Sequence, residues 1–265
     1  MKISELKKEA LVKLSGKWGK AAGIYIVVTL ISFGMALIPN VSTSAAVVFL
    51  LNLFISLVSF AFSYGLLASM IKLSRTEKVD LMDFVTIGLK NIWKIIKIYL
   101  VMILKLWLPI LLYIVAAVLI GVSAYMLAAS ETNALIYMLA SCILLIISCI
   151  LFIVKSLLYS LQFYLLYDNP NAKAGEILNK SAELMKGNRM KYLLTELSFL
   201  GWVILVVFAS VLAAPILPIL SPILMLVGTL ILSPYMSFTL INFYEDVAGI
   251  GDVQEVVAEK ENQEN

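Results

Sequence analysis

The chain has 265 residues, of which 62% are hydrophobic and only 14% charged, and its mean hydropathy is +1.00. A soluble domain is about half apolar and about a quarter charged, so polar surface is too scarce here for a water-soluble fold and lipid must be the main solvent. The net charge of +3 hides an asymmetry: all but three of the 20 basic residues fall in residues 1–20, 72–97 and 173–191, while the chain after Tyr244 holds seven acidic residues against Lys260 alone.

In chain order, Ile3, Leu6, Ala10 and Leu14 recur on one helical face before Gly16. The first twenty residues are too charged for the apolar core of a cleavable signal, so the apolar run that follows is expected to be a retained span. Taking about 20 apolar residues as enough to cross the hydrocarbon, six spans are predicted at about 21–38, 45–71, 106–128, 134–154, 192–213 and 223–243. The connectors at 39–44, 129–133 and 214–222 hold no basic residue and are short, so the spans pair into three hairpins. Basic residues accumulate on the cytoplasmic side, which predicts both termini inside.

The longer inner connectors read as amphipathic helices. Between 80 and 97, Asp80 is placed to cap a helix with Asp83, Thr86, Lys90, Lys94 and Lys97 on its polar face and Leu81, Val85, Leu89, Ile92 and Ile96 opposite. Lys105 follows in the same register, before Trp107 and Pro109 mark where the chain enters the membrane. After Asn169-Pro170-Asn171, the positions Ala174, Ile177, Leu178, Ser181 and Met185 share a face, and Gly187 is placed to end the helix. All three connectors are expected to lie in the inner interface, with Lys90, Lys94 and Lys97 contacting anionic lipid. The expected fold class is therefore an all-α polytopic membrane protein: six transmembrane helices in three hairpins, each preceded by an amphipathic interfacial helix. One six-span domain, 1–244, divides into units of about 1–71, 72–167 and 168–244, a threefold architectural repeat, and is followed by an acidic, disordered cytoplasmic tail, 245–265.

Several constellations are candidates for function. Lys105, Lys155 and Glu196 fall at or inside span ends, where ionisable groups are costly. An intramembrane ion pair of Glu196 with either lysine is one reading, and lysines snorkelling to the interface is the plainer one. Asn52, Ser56, Ser59 and Ser63 form a polar face on the second span, and Ala117, Gly121, Ala124 and Ala128 a seam of small residues on the third. Both patterns suit helix packing, with a solute path as the alternative for the polar face. Pro234 sits in the middle of the last span and should free a carbonyl about a turn earlier. Cys142 and Cys149 lie two turns apart on one helix, about 10 Å at 1.5 Å per residue, too far for a disulfide, and are expected to be buried thiols.

Enzyme chemistry is not expected. Histidine is absent, no phosphate-binding G-x-x-x-x-G-K-[ST] loop occurs, and no spaced aspartate cluster could hold magnesium. No cofactor or metal is implied. The basic segments adjoin spans, so nucleic acid is not an expected partner; anionic inner-leaflet lipid is, with a cytoplasmic or membrane protein as a further partner. The reading is a non-catalytic adaptor or accessory subunit at the inner leaflet. The alternatives are a small-solute or lipid transporter, or immunity to a membrane-active peptide.

From the fourth span onward particular residues carry a likeness. Tyr159-Ser160-Leu161-Gln162-Phe163-Tyr164 runs into Tyr167-Asp168-Asn169-Pro170, then Ser181-Ala182-Glu183-Leu184-Met185-Lys186-Gly187 and Leu197-Ser198-Phe199-Leu200-Gly201-Trp202. Ser233-Pro234-Tyr235, Asn242-Phe243-Tyr244-Glu245 and the N-terminal Leu14-Ser15-Gly16-Lys17-Trp18-Gly19 complete it. The chain thereby resembles the bacterial integral membrane family catalogued as domain of unknown function 975. That family is distantly similar to the membrane domain of some glycerophosphodiester phosphodiesterases. The resemblance implies a bacterial cytoplasmic membrane and six spans, and it implies no activity.

Overall fold

The computed structural model describes residues 1–38 and 44–250. The connector at 39–43 and the tail from 251 onward, where most of the expected disorder falls, lie outside the described residues. Every regular element among the described residues is helical. In order they are α1 (Ile3–Leu14), α2 (Trp18–Leu37), α3 (Ala45–Ser74), α4 (Asp83–Lys90), α5 (Ile92–Lys105), α6 (Trp107–Ala128), α7 (Ala134–Ser156), α8 (Gln162–Asp168), α9 (Ala174–Leu184), α10 (Arg189–Ala213) and α11 (Leu220–Ala248). Six helical segments are long and apolar enough to cross a membrane, and they meet the six expected spans: α2, α3, α6, Ala134–Asp168, α10 and α11. Pro234 stands inside α11, which is helical through Ala248, so Glu245 and Asp246 are helical rather than part of a tail.

Packing groups the chain into two compact units. Unit one comprises Met1–Ile96, Phe163–Pro170 and the chain from Gly187 on; unit two comprises Lys97–Gln162 and Asn171–Lys186.

In unit one, α1 buries Leu6, Ala10 and Leu14 and packs on α11. Glu5 at its third position accepts the Lys2 backbone N–H at 2.6 Å, satisfying a donor that the helix start leaves free. Gly16, at φ +73°, turns the chain into α2, a conformation glycine adopts without a Cβ penalty. The segment 80–97 is not one helix. It breaks at Asn91 between α4 and α5, and α4 begins at Asp83 rather than behind an Asp80 cap. Its buried residues are Phe84, Gly88 and Ile95, while Leu81 and Leu89 are exposed. The reason is a close crossing of α3 and α4. A Cβ on Gly65 would collide with the Phe84 carbonyl oxygen, and one on Gly88 with that of Ala61. Two glycines thus let the backbones touch, and this contact decides which residues of α4 are buried.

In unit two, α6 and α7 pack along each other, with Pro109, Ala116 and Ser123 of α6 and Ala134, Ser141 and Ser148 of α7 buried. The thiols of Cys142 and Cys149 are free, and Cys142 is exposed rather than buried. After α7 the helix tightens into a 3-10 turn, Leu157–Tyr159, before α8 resumes. Ser181 of α9 fills this break: its buried hydroxyl accepts the Leu161 N–H at 3.2 Å and donates to the Leu158 carbonyl at 2.9 Å. Buried backbone groups outside a regular helix need such partners, and a serine from a neighbouring helix supplies both. The inward face of α9 is Ile177, Leu178 and Ser181, with Met185 just beyond, and Gly187 at φ +88° closes the segment.

Candidate functional site

The helix ends of unit one carry charged residues that no local spacing links. Arg75 follows α3 directly, Asp168 ends α8, and Glu245 stands in the last turn of α11. The Arg75 guanidinium joins the two acids: Nη1 donates to Asp168 Oδ1 at 2.6 Å and Nε donates to Glu245 Oε1 at 3.0 Å. This uses the planar fork that makes arginine suited to linking carboxylates. Tyr244 Oη donates to Asp168 Oδ2 at 2.6 Å, and the Tyr244 ring stacks on Tyr164 at 5.1 Å. From α1, Lys13 Nζ reaches Glu245 Oε2 and Asn242 Oδ1, both at 2.9 Å, and Glu9 at 2.8 Å. Asn242 in turn donates its amide to the Leu6 carbonyl.

Glu245 is only 5% exposed, so its two cations stand in for lost water. Burial works against the charge of Arg75, but Asp168 and Glu245 outweigh it and hold the guanidinium pKa above its ordinary value. Lys13 behaves alike: burial is more than offset by Glu9 and Glu245, and its pKa is raised. Lys17 differs. Burial and the charge of Lys13 lower its pKa, while its Nζ caps α3 by donating to the Leu73 carbonyl at 2.8 Å and the Ser74 carbonyl at 3.3 Å. Beside the network, Asp246 accepts from Lys191 at 2.7 Å. Chemically this is a closed set of ion pairs that ties α1, α3, α8 and α11 together. Among the described residues no group of three or more His, Cys, Asp or Glu could hold a metal ion.

A second polar layer lies deeper in the same unit. Tyr25 of α2 shares a hydrogen bond of 2.7 Å with Ser237 Oγ of α11 and donates to the Ser233 carbonyl at 3.3 Å. Glu196 of α10 accepts from Tyr192 one turn before it. Tyr164 of α8 is buried as well.

The other residues singled out in the sequence are placed as follows. Lys105 ends α5 and donates to Asn179 Oδ1 at 2.9 Å; Lys155 stands half-buried in the last turn of α7; both belong to unit two, and Glu196 to unit one. Asn52, Ser56, Ser59 and Ser63 are all exposed on α3. Asn52, Ser56 and Ser63 donate back to carbonyls one turn earlier in their own helix. Ala117, Gly121, Ala124 and Ala128 are likewise exposed, while Ala116 and Ser123 face inward. Lys90, Lys94 and Lys97 are exposed, and Lys94 donates to the Pro170 carbonyl at 2.8 Å.

The network of Lys13, Arg75, Asp168 and Glu245 escaped the sequence reading. One signal was present: Tyr167-Asp168 and Tyr244-Glu245 each place a tyrosine and an acid where an apolar span ends. Compared with known families, the chain matches, over residues 1–250, the family model described as "Protein of unknown function (DUF975)". No curated protein and no solved structure matches it.

Proposed function

The chain belongs to the DUF975 family, whose description assigns no activity, and from its own residues we propose that it is a non-catalytic membrane adaptor or accessory subunit working at the inner leaflet. The observation that carries this reading is the surface at the α4–α5 elbow. Trp93 is 73% exposed there, flanked on one helical side by exposed Lys90 and Lys94, with Lys97 one turn further along. A tryptophan among lysines beside a span suits the headgroup zone, where the ring anchors and the ammonium groups meet lipid phosphate. The elbow is held firmly, because α4 is seated on α3 by Gly65 and Gly88 and pinned by Lys72 to Asp83 at 3.1 Å. The positive-inside pattern supports a cytoplasmic side for this surface and for both termini. The compartment in this reading is a bacterial cytoplasmic membrane, and the resemblance noted in the sequence adds a distant kinship to the membrane domain of glycerophosphodiester phosphodiesterases.

The threefold repeat belongs to the same proposal and has support in detail. Both α1 and α9 begin with a backbone N–H donated to a glutamate at the third position, and both are followed by a left-handed glycine before the next span. Arg75, Asp168 and Glu245 stand where the second span of each hairpin ends.

The test is native mass spectrometry of the full chain released from nanodiscs containing phosphatidylglycerol. Wild type is expected to retain several anionic lipids, and K90Q/K94Q/K97Q to lose most of them. Equal retention would remove the basis of the reading. A transporter of a small solute or lipid is the second reading, favoured by Glu196 standing inside the apolar helix α10. A change of flux in reconstituted vesicles on Glu196→Gln would support it, and wild-type flux equal to that of empty vesicles would end it.

A further inference from the structure

The α6–α7 hairpin of unit two carries a groove that neither the ion network nor the elbow uses. Its two helices meet along a seam in which buried residues recur every seven positions: Pro109, Ala116 and Ser123 on α6, and Ala134, Ser141 and Ser148 on α7. To one side of the seam, Cys149, Phe152 and Ile153 of α7 line a cavity of about 320 Å³ with Ile110 and Tyr113 of α6. No polar atom faces it, so water finds no partner there. One more seven-residue step from Ser148 reaches Lys155, half-buried in the last turn of α7. It lies about 4.5 Å further along the helix than Phe152, at 1.5 Å per residue, and residues three apart are neighbours on a helix surface. Among the described residues its ammonium has no hydrogen-bond or ion-pair partner. Lys105, the other cation at this end of the hairpin, is engaged with Asn179 at 2.9 Å.

A half-buried ammonium at the end of a span needs a counter-ion, and a lysine stem is long enough to bring its charge to the headgroup level, where phosphate is the anion at hand. An apolar groove that runs towards an unpaired cation matches the two halves of one lipid, and basic pockets between spans bind anionic headgroups. We propose that this groove holds an acyl chain of one anionic phospholipid whose phosphate pairs with Lys155. The other flank of the hairpin supplies a contrast. There Val122 and Met126 of α6 and Tyr137 and Leu144 of α7 help to line a second cavity, of about 460 Å³. It lies towards the connector 129–133, which holds no basic residue and one acid, Glu131. That cleft can take an acyl chain but has no cation to select its headgroup. The proposal does not rest on the elbow, whose lysines belong to other helices.

The experiment is photo-crosslinking of the full chain in nanodiscs, with phosphatidylglycerol or phosphatidylcholine carrying a diazirine on one acyl chain, read by mass spectrometry of the peptides. With phosphatidylglycerol, label is expected to concentrate on Ile110, Tyr113, Cys149, Phe152 and Ile153. It should fall about fivefold in Lys155→Gln, the effect of one lysine near an anionic surface. Lys155→Arg should retain it, and phosphatidylcholine should label this groove no more than it labels the second one. K90Q/K94Q/K97Q should leave the pattern unchanged, which separates this site from the elbow. Equal labelling of the groove by the two lipids in wild type would overturn the proposal, whether or not Lys155→Gln folds. So would label spread evenly around α6 and α7.

Discussion

Replacing Arg75 by alanine removes a residue that bonds to both Asp168 and Glu245. The cost follows from what is left behind. Glu245, with its side chain 6% exposed, keeps Lys13 at 2.9 Å, so one of its two charge partners survives. Asp168, at 18% exposed, loses both guanidinium contacts and keeps only the Tyr244 hydroxyl at 2.6 Å. Breaking a buried pair from one side costs about 3–5 kcal/mol. Because each acid here retains a partner and Asp168 is partly wet, the lower end applies, about 3 kcal/mol. A double-mutant cycle separates the pair from side effects: Arg75→Ala and Asp168→Ala should couple by about 1–3 kcal/mol, as residues of one network do. The assay is equilibrium unfolding in mixed micelles, followed by tryptophan fluorescence. If Arg75→Ala unfolds at the wild-type midpoint, or the two substitutions simply add, the network does not hold these helices together.

Gly65→Ala and Gly88→Ala should each destabilise by about 1–3 kcal/mol or more, since a methyl group would collide with a backbone carbonyl. Gly121→Ala, with nothing within 4 Å of its would-be Cβ, should be neutral or gain up to about 1 kcal/mol from helix propensity, and thermal unfolding of the three variants side by side checks the contrast. Ser181→Ala should cost about 1–3 kcal/mol by stranding the Leu161 N–H, and faster amide exchange confined to residues 158–162 would show it. The raised pKa of Lys13 gives a pH signature. A folded pKa above the unfolded value stabilises fully below the unfolded value, about 10.4, and the contribution is lost as pH rises through the folded one. The stability difference between wild type and Lys13→Met should therefore hold steady from pH 7 to pH 9 and shrink only in stronger alkali.

The spans were legible because lipid demands unbroken apolar length, and nothing in unit one or two overrides that demand. The inward face of α9 was legible as well: Ile177, Leu178, Ser181 and Met185 follow the helical period. The segment 80–97 was not, because Gly65 and Gly88 set its register by contact across α3 and α4, and a periodicity within one segment carries no information about its neighbour. For the same reason the ion network was invisible. Arg75 and Asp168 are 93 residues apart and Lys13 and Glu245 are 232 apart, so only the packed helices bring them together. Glu196 stood out by its place in an apolar run alone. The exposed faces at Asn52–Ser63 and Ala117–Ala128 show the converse, since a pattern suited to packing is not obliged to find its partner within the same chain.

The first helix packs on the last, and this has a consequence for how the protein is made. Lys13 and the face of Leu6, Ala10 and Leu14 leave the ribosome early, yet Asn242 and Glu245 follow 229 and 232 residues later. At about 5–20 residues per second that delay is on the order of 10–45 seconds. Throughout that interval α1 has no α11 to pack on, and the nearest apolar phase is the bilayer surface. A nascent chain arrested after α10 would strand α1 there, leaving a protease-sensitive N-terminus that only complete synthesis protects.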